Sequence, residues 1–243
     1  MIGFATQFAQ GGVTMPEAVY LVFTRPPEGV DAEAFEQWHD ANARRVLNEP
    51  AVQAMRCFTM APDVGTISPI MYTHMALYKG PDTPADASPF LGQPPAEASA
   101  PGWASDVRTA SFYGYALDEP VELARLDHMY LVFTKPPAEV SIPDFFDWYV
   151  RHKRENLTAE GFDAAWRYRL ERDVVDPLAP AEAVHAALYE VHGELPELRA
   201  SLDRAEADGR VVFPEWWPGM RLACLDCYAI ADPITSNGDP ARR

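Results

Sequence analysis

Basic residues are scarce in this chain: 20 Lys and Arg stand against 36 Asp and Glu, a formal net charge of −16. That shortage argues against nucleic acid, whose phosphates reward basic surfaces, and equally against an anionic membrane surface. Cysteine is scarcer still. Cys57, Cys224 and Cys227 are too few for a disulfide framework, and they fit a reducing cytoplasm. Cys224 and Cys227 have C-x-x-C spacing, but within a strand they point to opposite faces, which speaks against a metal or redox pair. No apolar run reaches the ~18–20 residues of a membrane span. Met1 to Pro16 lacks the basic and then apolar layout of a secretory signal. A Gly-rich phosphate loop, a Gly-x-Ser-x-Gly elbow and a His-Glu-x-x-His metal motif are also missing.

What is present is a repeat. Tyr20-Leu21-Val22-Phe23-Thr24-Arg25-Pro26-Pro27 returns 110 residues later as Tyr130-Leu131-Val132-Phe133-Thr134-Lys135-Pro136-Pro137. Between residues 19–58 and 129–168, 13 of 40 positions are identical, among them Phe35 with Phe145, Trp38 with Trp148 and Leu47 with Leu157. Later landmarks keep their order: His74 with His185, Trp103 with Trp216, Tyr115 with Tyr228. A unit this long is a duplicated domain, too long for a solenoid repeat. The expected division is an arm at 1–17, a first half at 18–120, a second half at 121–232 and a disordered tail at 233–243. Apolar content of 48% is enough for a core in each half.

In the first half, Val19 to Thr24 reads as a strand that Pro26 ends. Asp31 is the expected N-cap of a helix over Ala32 to Leu47, where Phe35, Trp38, His39, Asn42 and Val46 share one face. Strands follow at Val52 to Met60 and Ile70 to Tyr78, separated by a turn at Pro62 to Gly65, and a last strand runs from Arg108 to Leu117. The stretch from Gly80 to Gly102 carries six prolines, which a regular helix does not survive. The second half repeats the plan with strands at Tyr130 to Thr134, Phe162 to Leu170, Ala183 to Val191 and Arg221 to Ile230. Its helices are expected at Ile142 to Leu157 and Pro196 to Ala207. Each half thus reads β-α-β-β-α-β, and two such halves can cover each other's bare sheet face. The expected class is α+β: two tandem ferredoxin-like halves forming a pseudo-twofold barrel within one polypeptide.

Phe145-Phe146-Asp147-Trp148-Tyr149-Val150-Arg151-His152, followed by Leu157 and Gly161-Phe162, resembles the first-helix signature of the dimeric α+β barrel superfamily, in particular its EthD-like members. Leu188-Tyr189-Glu190 is similar to that group's third strand. The resemblance covers nearly the whole chain as two copies. The first half departs from it: His39 and Asn42 stand where the second half has Tyr149 and His152, and Ala51-Val52 replaces Gly161-Phe162. The superfamily includes cofactor-free oxygenases, isomerases, cyclases, decarboxylases and haem enzymes. In many of these, the resemblance implies, the ligand lies between sheet and helices of one half.

Polar side chains on the apolar helix face are the main functional signal. A polar group taken from water needs a partner or costs about 1–3 kcal/mol, so His39 with Asn42, and His152 with Tyr149, mark either internally bonded core residues or a wet cavity. His74 and His185 hold matching strand positions and face either the helices or the barrel interior. If they face the helices, His39 with His74 and His152 with His185 form two candidate acid/base pairs, suited to work near neutral pH. Tyr20 and Tyr130 are candidate donors to a substrate oxygen, with core packing as the alternative. Arg56 and Arg167 are candidate carboxylate clamps that stand one register step apart, so they cannot both face the same way. Trp38, Trp148, Trp103 and the pair Trp216-Trp217 are candidate stacking surfaces for an aromatic ligand, or plain core.

The resulting expectation is an enzyme of aromatic catabolism that uses neither metal nor organic cofactor. It would act on a small hydrophobic or aromatic acid by histidine acid/base chemistry, with lyase chemistry such as decarboxylation or elimination first and isomerisation next. The alternatives are a cofactor-free monooxygenase, and a haem-binding or non-catalytic ligand-binding protein with His74 or His185 on the iron. The expected partner is that small molecule, with no nucleic acid, no membrane and a possible homodimer of the fused chain.

Overall fold

Strand β1 (Ala18–Arg25) is buried over its first seven residues, because a different layer covers each of its faces. Val19, Leu21 and Phe23 point into one apolar cluster, and Tyr20 and Val22 into another beneath a helix. The repeat in β5 (His128–Lys135) does the same: Met129, Leu131 and Phe133 point inward, and Tyr130 and Val132 outward. A strand covered on both sides reads as a continuous apolar run, which is why both copies look alike. The equivalent residues Phe23 and Phe133 meet in the middle, with ring centroids 5.9 Å apart.

The computed structural model describes residues 18–48, 52–65, 71–80, 100–173 and 183–235. After β1 come α1 (Ala32–Val46), β2 (Ala54–Gly65), β3 (His74–Gly80) and β4 (Arg108–Ala116). After β5 come α2 (Ile142–Asn156), β6 (Phe162–Asp173), β7 (His185–Val191), α3 (Leu195–Ala207), β8 (Arg221–Ala229) and a two-residue β9 (Ile234–Thr235). Asp31 caps α1 by accepting from the Ala34 N–H, and Ser141 caps α2 from the Asp144 N–H. The sheet runs β3-β1-β4-β6-β7-β5-β8-β2, and β2 pairs back to β3. Every pairing is antiparallel, and eight strands close into one barrel.

That closure corrects the expected fold class. Two ferredoxin-like α+β halves, each with its own sheet laid face to face on the other, do not describe the molecule. The two halves join edge to edge through the hydrogen bonds of β4 with β6 and of β2 with β8. The cause lies in β2 and β6. Each runs for twelve residues and so overreaches its own half to reach a strand of the other. Closure leaves no free edge among the eight strands. The described residues hold three α-helices and more strand than helix. The proline-rich stretch at 81–99, the arm at 1–17 and the tail from 236 lie outside the described residues. The expected turn at Pro62 to Gly65 is also corrected: these residues stay in β2, and the register on β8 shifts between Pro62 and Val64. One extra residue, Asp63, is thereby re-aimed. Among the described residues no helix is long and apolar enough to cross a membrane.

Gly161, at the entry to β6, has φ +91°, a conformation that a side chain resists. A Cβ there would lie 2.8 Å from the His192 carbonyl oxygen and 2.6 Å from Leu198 Cδ2. Gly161→Ala should therefore cost roughly 2–3 kcal/mol in urea unfolding. A loss below about 0.5 kcal/mol would mean that the backbone relaxes freely at this corner.

Candidate functional site

The outward face of β5, β7 and β8, roofed by α2 and α3, encloses a cavity of about 330 Å³. Its inner wall is built by strand alternation, which sends Tyr130, Val132, Thr134, Ala187, Tyr189, Leu222 and Cys224 outward. Helix α2 supplies Trp148, Tyr149, His152 and Asn156, spaced so that all four fall on one face. Phe213 and Trp217 arrive from the segment between α3 and β8, while Asp203 and Glu206 of α3 stand at the mouth. Val64 comes from the first half. Its neighbour Asp63 accepts a 2.6 Å hydrogen bond from the Tyr130 hydroxyl and forms an ion pair with Arg199 on α3. The bulge in β2 thus ties the first half onto the wall of the second.

His152 is the central polar residue of this cavity. Its ring stacks on Trp148, with centroids 4.5 Å apart, and lies 5.5 Å from Phe213 and 5.9 Å from Trp217. Nε2 is 3.2 Å from Asn156 Nδ2, which also donates to the Tyr189 hydroxyl at 3.1 Å. With that amide donating, the ring proton belongs on Nδ1, and Glu155 Oε2 stands 3.6 Å from Nδ1. Burial lowers the His152 pKa to about 4, although Glu155 pulls the other way. At neutral pH the ring is uncharged. Burial likewise pushes the Tyr189 phenol up to about 12 and the Cys224 thiol to about 11, so both stay protonated.

Behind the wall lies a buried ion network. Asp118 accepts two hydrogen bonds from Arg167, at 2.9 and 2.6 Å, and Lys153 Nζ stands 3.1 Å away. Desolvation works against the Asp118 carboxylate, but Arg167 and Lys153 more than offset it and hold its pKa below the usual value. The Arg167 guanidinium sits over the Tyr149 ring, 5.2 Å from its centroid. Arg167 therefore faces the helix layer. Arg56 is turned the other way and bonds to Asp127 and to the carbonyls of Leu123 and Ala231. Neither arginine lines the cavity, so neither clamps a carboxylate there.

Of the residues singled out in the sequence, the cavity collects His152, Tyr149, Trp148, Tyr130 and Trp217. The Tyr130 hydroxyl is already committed to Asp63. Trp216 packs behind Trp148 at 5.1 Å and stands outside the lining. The expected His152–His185 pair does not assemble, because His185 packs on Phe145, Phe146 and Tyr149. In the first half His39 and His74 do meet, their ring centroids 5.4 Å apart. They share an aromatic cluster with Phe35, Trp38 and Trp103, and His39 Nδ1 is 3.0 Å from the Thr24 hydroxyl. Tyr20 packs on Tyr113, and Asn42 is half-buried on α1. The sequence reading missed Asn156, Tyr189, Thr134 and Phe213 as lining residues. For Asn156 the signal was present: it lies one helical turn beyond His152, on the same face.

Haem is the cofactor that the family resemblance brings with it, and the residues here do not fit it. The lining offers no Arg or Lys for the propionates and carries Asp203 and Glu206 instead. Aromatic rings crowd His152. His185 lies outside the lining. Among the described residues no group of three or more His, Cys, Asp or Glu could hold a metal ion.

No protein-family model matches the chain, and no curated protein sequence does. Solved structures do. Chlorite dismutase from Candidatus Nitrospira defluvii aligns over 89% of this chain and 92% of its own, with TM-score 0.52 and 10% identity. A variant of that dismutase in complex with cyanide aligns over 90% and 92%, with TM-score 0.54 and 10% identity. An anthrone oxidase-like protein aligns over 94% and 97%, with TM-score 0.50 and 13% identity. At such identities the likeness is one of fold alone.

Proposed function

We propose that the second-half cavity is the active site of an enzyme that abstracts a proton from a small, uncharged aromatic substrate, with His152 as the base. The observation that carries this reading is a buried, neutral imidazole set in an aromatic cavity with the Glu155 carboxylate beside its Nδ1. When Nε2 takes a proton in place of its long contact to Asn156, the resulting imidazolium faces Glu155. The ion is then paired rather than stranded in an apolar wall. Asn156 and Tyr189 orient the ring. The lining has no cationic side chain, so a carboxylate substrate has no partner there, and an uncharged phenol or carbon acid replaces the aromatic acid expected from the sequence.

Proton abstraction of this kind opens lyase or isomerase chemistry without a metal or organic cofactor. The carbanion is reprotonated elsewhere or expels a leaving group. A second reading, a cofactor-free oxygenase, follows if the same carbanion meets oxygen. It is supported by the cage of Trp148, Phe213 and Trp217 and by the fold shared with an anthrone oxidase-like protein. Anthrone, with its doubly benzylic C–H, probes both.

In anaerobic D₂O the protein should catalyse exchange of that C–H into solvent, followed by NMR. His152→Gln should slow exchange roughly 10²–10⁴-fold. Oxygen uptake in air separates the second reading from the first. Since the base must be unprotonated and burial holds its pKa near 4, the exchange rate should stay level from neutrality down to the pH at which the fold itself is lost. A variant exchanging as fast as the parent protein removes His152 as the base.

A further inference from the structure

The wall of the cavity holds hydrogen-bonding groups that the fold leaves with capacity to spare. Trp148 Nε1 is buried and makes no hydrogen bond among the described residues, and the Tyr149 phenol has only the Thr134 hydroxyl beside it. Their side chains belong to residues no more than 4% exposed, and all three residues line the same cavity. An indole N–H can only donate, and a phenol kept protonated by burial is also poised to donate. A buried donor left unpaired destabilises the fold, and most folded proteins avoid it. The Trp148 N–H and the Tyr149 O–H, neighbours on α2 facing Thr134 on β5, are thus the donors this wall can offer to an acceptor atom.

A further feature beneath them points the same way. The Arg167 guanidinium over the Tyr149 ring is held there by Asp118. A cation behind the ring favours negative charge on an atom beyond the phenol. The mouth, with Asp203 and Glu206, repels such charge, so the closed end of the cavity is where an anionic oxygen would be tolerated.

We infer that Tyr149 and Trp148, with Thr134 beside the phenol, bind the carbonyl or phenol oxygen of the ligand, which makes the substrate class an aromatic ketone or phenol. The inference rests on the second-half cavity being the active site. As His152 Nε2 takes the proton from the substrate C–H, the bonding pair of that C–H moves through the ring system onto the carbonyl oxygen. The oxygen becomes an enolate held by the O–H of Tyr149 and the N–H of Trp148. Arg167 is a positioning residue, acting through Tyr149.

The test is equilibrium binding to the full chain under anaerobic conditions, comparing anthrone with 9,10-dihydroanthracene, which has the same three-ring outline without the oxygen. The parent protein should bind the ketone roughly ten- to a hundredfold more tightly, and Tyr149→Phe should bring the two affinities together. Thr134→Val, a change of nearly equal volume, should reduce the preference by a smaller factor and serves if Tyr149→Phe does not fold. Equal binding of both probes by the parent protein, or an unchanged preference in both variants, overturns the oxygen subsite. If exchange still depends on His152 in that case, the base assignment survives alone. A preference that depends on Tyr149, with exchange indifferent to His152→Gln, leaves the subsite standing and removes the base. Binding of neither probe overturns both.

Discussion

Acidification from pH 7 to pH 4 is expected to unfold this protein, with most of the loss above the range in which ordinary carboxylates titrate. The reason lies in His39 and His152, which burial lowers from 6.5 to about 4. Below pH 6.5 the unfolded chain binds a proton at each of these positions while the folded chain does not. Stability present above 6.5 is therefore lost as pH falls, until the folded rings titrate near 4. Each shift corresponds to roughly 3 kcal/mol of linked stability. His74 and His185 are lowered to about 4 as well, also chiefly by burial. Two such groups already approach the 5–15 kcal/mol that holds an ordinary domain together. Circular dichroism against pH should give a midpoint between about 4.5 and 5.5, and His39→Gln should move it to lower pH. An intact fold at pH 3.5 would show that these rings are far less buried than they look.

Asp118→Ala should cost about 3–5 kcal/mol, because it strands the Arg167 cation in the helix layer. Among the described residues Arg167 forms no second ion pair, and its Nη1 is already buried without a hydrogen bond. For a chain of this size, the corresponding fall in melting temperature is roughly 6–20 °C. The double variant Asp118→Ala/Arg167→Met removes charge and partner together and should recover a large share of the loss. That recovery separates charge burial from simple loss of packing. If the single variant melts within 2 °C of the parent protein, the network is a surface feature in all but appearance.

The duplicated strand motif carried much of the fold in plain view. The β-branched and aromatic run from Val19 to Thr24 reads as a strand, and Leu21 and Phe23 with their repeats Leu131 and Phe133 are central in the core. The opposite facing of Arg56 and Arg167 followed from strand alternation. What the sequence hid was closure. Hydrogen bonds between β4 and β6, or β2 and β8, involve backbone groups, which leave no mark on residue type. Pro62-Asp63-Val64-Gly65 has turn composition, yet long-range pairing with β8 overrode it. The site was half legible. Helix periodicity put Trp148, Tyr149 and His152 on one face, but it could not show that Phe213 and Trp217 would fold over them. It also paired His152 with His185, although the two imidazoles end up on opposite sides of an aromatic stack.

The edge-to-edge joint between the halves also bears on synthesis. When the first half emerges from the ribosome, β2 and β4 each offer an unpaired backbone row, because their partners β8 and β6 lie later in the chain. After β4 ends at Ala116, about 57 further residues complete β6 and about 113 complete β8, which at 5–20 residues per second leaves the row on β4 open for roughly 3–11 s and that on β2 for roughly 6–23 s. A nascent chain with two bare strands is prone to pair with its neighbours on a polysome, so this architecture favours slow initiation or a chaperone that shields β2 until β8 arrives.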